Sequence, residues 1–117
     1  MTNGFELFVD TNPELVLHPD GLYLSKEFRE KNVGSREYAL VYIDKQKHEL
    51  GLVFTKDYIR AARKIGKSKK VFLAKNFFFE IGLKKPQTSM AVEYMVGEIN
   101  GDSGIIVGLG KYLEVKL

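Results

Sequence analysis

Apolar and polar positions change their period several times along the chain, and each change predicts an element. Leu22-Tyr23-Leu24 is a short apolar run of strand type. Ser25 follows, with a hydroxyl able to accept from the free amides of a first helical turn. Glu27 places negative charge where a helix start favours it. Asn32 or Gly34, both tolerant of left-handed backbone, can end that helix. Residues 38–43 are rich in β-branched and aromatic side chains and predict a strand. The polar turn Asp44-Lys45-Gln46-Lys47 leads into a returning strand over residues 48–54. Outside this block, residues 5–9 and 14–17 read as short strands separated by Thr11-Asn12-Pro13. Residues 55–65 predict a helix, with Thr55 as cap and Tyr58, Ile59 and Ala62 near helical spacing. Gly66 and Ser68 stop it. Residues 112–117 read as a closing strand with Leu113, Val115 and Leu117 alternating.

The same order of elements recurs downstream. Val71-Phe72-Leu73-Ala74-Lys75-Asn76-Phe77 matches Leu22-Tyr23-Leu24-Ser25-Lys26-Glu27-Phe28 in three apolar residues, a small residue, a Lys and a Phe. Gly82 answers Gly34 with a one-residue gap. Ala91-Val92-Glu93-Tyr94 answers Ala39-Leu40-Val41-Tyr42, and Ser103-Gly104-Ile105-Ile106 answers Leu50-Gly51-Leu52-Val53. Strands are expected at 90–96 and 104–109, joined by Asn100-Gly101-Asp102, a turn in which Asn and Gly accept positive φ. An internal repeat of this kind sets the fold expectation. It is a single α+β domain over 1–117, a barrel-like or two-sheet structure made of two strand–helix–hairpin units, about 22–54 and 71–109, with one linking helix.

Charge changes the picture more than composition does. The 117 residues carry a net charge of +3. Residues 56–75, however, hold Lys56, Arg60, Arg63, Lys64, Lys67, Lys69, Lys70 and Lys75 against Asp57 alone, a local excess of +7, so the remainder sums to −4. A basic segment on a mildly acidic body is suited to a polyanion. On a helix, Arg60, Arg63, Lys64 and Lys67 would share one face, with Lys69 and Lys70 following. Tyr23, Tyr38 and Tyr58 are candidates to stack on bases.

Enzyme chemistry finds little support. There is no cysteine, which removes disulfides, thiolate zinc sites and thiol nucleophiles. His18 and His48 fall at no ligand spacing, and Asp10, Glu14, Asp20 and Asp44 have no spacing that requires them to cluster. The stretch 97–104 lacks the Gly-Lys-Ser/Thr ending of a phosphate loop. The expectation is a non-enzyme with no cofactor and no metal. No apolar run reaches the roughly 18 residues of a bilayer span and no signal peptide is evident, so a cytoplasmic location is expected.

Leu22-Tyr23-Leu24-Ser25-Lys26-Glu27-Phe28-Arg29-Glu30-Lys31, followed by Gly34 and two strand-like runs, resembles the swapped-hairpin transcription factors of the AbrB, MazE and SpoVT type. The match covers about residues 21–54 and extends more faintly over 70–109. Ser25 and Ala74 stand where that family usually has Pro, the Gly-Asp entry to the hairpin is missing, and Phe78 stands opposite Arg29. The resemblance implies DNA binding rather than RNA binding, often by small regulators, with Lys26, Arg29 and also Lys31 and Arg36 as phosphate or base contacts. It also implies dimerisation, or a pseudo-dimer within one chain.

Phe77-Phe78-Phe79 supplies an alternative. The first unit has Arg29 and Glu30 where the second has Phe78 and Phe79. An apolar surface in place of a solvated one suggests a protein interface through Phe78 and Phe79. The competing reading is a protein-interaction module, such as a phage- or plasmid-type accessory protein, acting through that surface as a homodimer or with another chain.

Overall fold

A computed structural model describes residues 4–7 and 13–116. In chain order the elements are β1 (Leu15–His18), β2 (Gly21–Leu24), α1 (Lys26–Asn32), β3 (Tyr38–Asp44), β4 (Glu49–Thr55), β5 (Arg63–Lys64), β6 (Lys70–Phe72), α2 (Phe77–Ile81), β7 (Met90–Val92), β8 (Met95–Ile99) and β9 (Asp102–Gly108). A 3-10 turn, Leu109–Lys111, follows β9. The strands form two antiparallel sheets, the first in the order β6-β2-β1-β7 and the second in the order β5-β3-β4-β9-β8. Neither sheet closes into a barrel.

Alternation sets the first sheet. Leu15, Leu17, Leu22 and Leu24 are fully buried, and across the strands Leu15 pairs with Leu24 and Leu17 with Leu22. Ser25 then starts α1 as expected, its hydroxyl accepting from the Phe28 amide at 3.1 Å. The helix ends where the Arg29 carbonyl accepts from both Val33 and Gly34, with Gly34 at φ 60°. Among the described residues Phe28 is the largest fully buried side chain, edge-on to Phe54 at 6.0 Å and to Tyr94 at 4.9 Å. It joins residues of α1, β4 and the β7–β8 crossing into one core. The β3–β4 hairpin turns on Asp44, whose carboxylate accepts from the amides of Gln46 and Lys47. The β8–β9 hairpin turns on Asn100 and Gly101, at φ 49° and 90°.

The expected helix over 55–65 does not form. Thr55 instead ends the β3–β4 ladder opposite Tyr38, and Arg63 and Lys64 pair with Ala39 and Tyr38 as a short edge strand. Ala61 is left-handed at φ 72°. The would-be apolar stripe has nothing to cover: Tyr58 and Ile59 stay exposed at 72% and 45%. A three-turn helix without a buried face is marginal in water, so the sheet hydrogen bonds prevail. The expected strand over 90–96 divides into β7 in the first sheet and β8 in the second, with the chain crossing at Glu93 and Tyr94. Among the described residues the closing strand expected over 112–117 reduces to a single bridge between Leu83 and Val115, and Leu117 lies outside them. Residues 5–7 carry no regular structure, and the rest of the first expected strand, with Thr11 and Asn12 of its turn, lies outside the described residues. Among the described residues no helix is long and apolar enough to cross a membrane.

Candidate nucleic-acid interface

The basic segment forms a border of the fold. It runs from the end of β4 through β5, one edge strand of the second sheet, to β6, one edge strand of the first. Lys56, Arg60, Arg63, Lys64, Lys67 and Lys69 are all exposed, and none of them is in an ion pair among the described residues. Lys70 differs. It bonds Asp20 at 3.3 Å and lies 5.7 Å from the centre of the Phe72 ring. That hydrogen bond holds the Asp20 carboxyl below its ordinary range.

Without the helix, the cations are distributed by strand geometry. Successive strand residues point to opposite faces, and cross-strand partners share one. Lys64 therefore shares the outer face of the sheet with Tyr38. Tyr38 meets the exposed Tyr58 edge-on at 5.7 Å. Arg63 shares the inner face with Ala39 and lines a cleft of about 240 Å³ with Leu73, Asn76, Phe77 and Glu80 of the α2 region. The outer face thus combines a free ammonium with an accessible aromatic ring.

The cations of α1 are engaged locally instead. Arg29 Nε donates to the Leu24 carbonyl at 3.1 Å, Lys26 lies 3.9 Å from Glu30, and Lys31 lies 2.7 Å from Glu14. The Lys31 hydrogen bond, then the Tyr94 hydroxyl, hold Glu14 below its ordinary range, and Glu14 raises Lys31 in return. Burial raises Tyr94, whose hydroxyl accepts from Asn32 at 3.2 Å. Arg36 is exposed and adjoins the border, since the neighbouring Glu37 carbonyl accepts from the Ile65 amide. Tyr23 is half-buried, next to Lys70 across the β2–β6 pair.

The three phenylalanines separate. Phe77 and Phe78 are 5% and 3% exposed, so the burial expected for Phe78 is supplied within this chain. The α2 backbone turns it inward, where it packs edge-on against Phe77 at 5.1 Å. Phe79 remains 65% exposed, with the Lys116 ammonium 4.9 Å from its ring centre. Lys75, Lys84 and Lys85 border the same hollow of about 320 Å³. Of these, Lys84 is paired with Glu114 at 3.0 Å. Sequence spacing does not join Lys85 and Lys116 to Phe79. The Leu83–Val115 bridge does, by laying the end of the chain beside α2.

The histidines serve the fold. His48, left-handed at φ 54°, donates from Nδ1 to the Ile81 carbonyl at 2.8 Å, and its own carbonyl accepts from Leu109. Its ring fills the space beside Gly82 and Gly110, which ties the β3–β4 turn to the end of α2 and to the 3-10 turn. His18 Nδ1 pairs with the Ser89 hydroxyl. Among the described residues, no three His, Asp or Glu side chains converge as a metal site would require. No family model matches the chain, and no curated protein or solved structure matches it.

Proposed function

We propose that this chain is a small nucleic-acid-binding regulatory protein whose contact surface is the border over residues 56–69. The observation that carries this reading is the exposed Tyr58 against the half-buried Tyr38, beside Lys64, within a run of cations that are in no ion pair among the described residues. Phosphate neutralisation supplies most of the affinity of such surfaces, and an open ring adds stacking on bases. The cations of α1 contribute less, because carboxylates and a backbone carbonyl already hold them. The resemblance to swapped-hairpin regulators favours DNA as the target. The same reading treats the two halves as copies of one unit. Leu24 donates to the Lys69 carbonyl and Leu73 to that of Asp20, at 2.9 and 3.0 Å. These bonds exchange under a twofold axis through the Leu22–Val71 pair. The interaction-module reading loses ground because Phe78 is already covered.

The test is binding to mixed-sequence DNA, followed by fluorescence anisotropy over a salt series. Affinity should fall linearly in log–log form. The triple variant Arg63→Ala, Lys67→Ala, Lys69→Ala should weaken binding and flatten the slope by about 0.9 for each phosphate left without its cation. Tyr58→Ala should weaken binding without changing the slope. An unchanged salt slope in the triple variant would remove the border from consideration.

A further inference from the structure

The outer strand β8 leaves a second kind of surface. Its sequence is Met95-Val96-Gly97-Glu98-Ile99, and among the described residues no strand lies on its far side. Met95 and Val96 are 60% and 63% exposed. A five-residue apolar edge with one charge and no proline or lysine invites another strand.

The hairpin fixes which backbone groups face outward. Asn100 and Gly101 form a two-residue loop with positive φ at both positions, so Ile99 and Asp102 close it as a hydrogen-bonded pair. Bonded and non-bonded pairs alternate along an antiparallel ladder. Gly97 with Gly104 and Met95 with Ile106 are then bonded pairs as well. The N–H and C=O groups of Val96 and Glu98 therefore point to the free edge.

We infer that β8 pairs antiparallel with β8 of a second copy of this chain, about a twofold axis through Gly97. Only alignments that oppose outward-facing residues to each other can form bonds. An axis at Glu98 sets the two carboxylates against each other, and an axis at Val96 leaves Glu98 and Ile99 beyond the paired strand residues. An axis at Gly97 pairs all five residues. Val96 and Glu98 of opposite copies exchange both bonds, twice over. Met95 faces Ile99 of the second copy on the outer face, and Gly97 faces Gly97 as the close non-bonded pair. Ile106 Cδ1 lies 2.8 Å from where a Gly97 Cβ would stand, so an isoleucine already fills the space that this glycine leaves. Antiparallel pairing would extend the second sheet from five strands to ten and leave both basic borders at the far ends.

Sedimentation velocity over a concentration series tests the pairing, and its register. The full chain should self-associate to a dimer and no further. Val96→Lys sets an ammonium opposite Glu98 of the second copy, so that variant should remain dimeric and become salt-sensitive. Val96→Lys with Glu98→Lys opposes lysines to each other and should be monomeric with an unchanged circular dichroism spectrum. Val96→Pro removes an amide that faces away from β9, so it too should be folded and monomeric. A chain that stays monomeric throughout, or a double-lysine variant that still dimerises, overturns the proposal. Loss of dimer in Val96→Lys alone overturns the register.

Discussion

The two edges of the second sheet solve the same physical problem in opposite ways. Both β5 and β8 border strands that carry the core, and among the described residues neither has a strand paired on its far side. β5 is two residues long and consists of Arg63 and Lys64. Its charges and brevity discourage any further strand, while their positive sign suits a polyanion. β8 is five residues long, with Met95 and Val96 in water and a glycine at its centre. One sheet therefore offers an edge closed to strands and an edge open to them, and chain composition alone does not distinguish the two. The difference lies in which residues the fold places outermost.

The comparison is broken most severely by dislodging the β8–β9 hairpin. A Cβ at Gly104 would stand 2.7 Å from the Leu52 carbonyl oxygen and 2.7 Å from Ile99 Cδ1. The carbonyl belongs to the adjacent strand and cannot rotate away. Gly104→Val should cost about 3 kcal/mol in urea unfolding, as overpacking of a fixed site does. Arg63→Ala on the charged edge should stay within about 0.5 kcal/mol of the parent. Similar losses in both variants would mean that the two edges are equally built into the fold.

Much of this architecture was legible in the chain. The short strands over 14–17 and 22–24, the Ser25 cap, a helix end at Asn32 or Gly34 and the Asn100-Gly101 turn all depend on residues close in the chain, so the sequence carries them openly. The helix expected over 55–65 failed for a tertiary reason. Its apolar positions meet no core, and strand β3 offers Arg63 and Lys64 backbone partners that local spacing cannot reveal. The split at Glu93 and Tyr94 is equally non-local, because β7 finds its partner in β1, more than 70 residues earlier in the chain. For the site, the basic character of 56–70 was legible and its geometry was not. Arg29 is engaged by the Leu24 carbonyl and Lys70 by Asp20, local bonds that spacing in the sequence does not reveal. The hollow around Phe79 depends on the chain's end and has no local signature.

A smaller effect sharpens the contrast between the helices that feed the two edges. α1 leads to β3, which bears the charged edge, and its first turn is closed by the Ser25 hydroxyl. α2 begins at Asn76, which makes no side-chain cap bond, and stops at Gly82 in the left-handed conformation. Ser25→Ala should therefore destabilise by about 1 kcal/mol, and Asn76→Ala should leave the urea midpoint near that of the parent. Equal effects would show that the two starts are held alike.

The smallest expected effect concerns the paired cation at the charged border. Lys70 is held by Asp20, whose carboxyl is lowered first by that hydrogen bond. A lowered carboxyl contributes stability above its unfolded value, near pH 4, and loses it as pH falls through the still lower folded value. Glu14, lowered by Lys31, behaves the same way on the other side of β2. Neutral conditions thus keep Lys70 occupied. Asp20→Asn should free it, and the log–log salt slope for DNA binding should steepen by about 0.9, the increment for one more neutralised phosphate. Because the pair is exposed to solvent, the urea midpoint at neutral pH should move little. The parent chain's stability should decline below pH 4, and the variant should show a weaker decline there. A salt slope that stays at the parent's value would place Lys70 outside the contact surface and confine that surface to the residues before it.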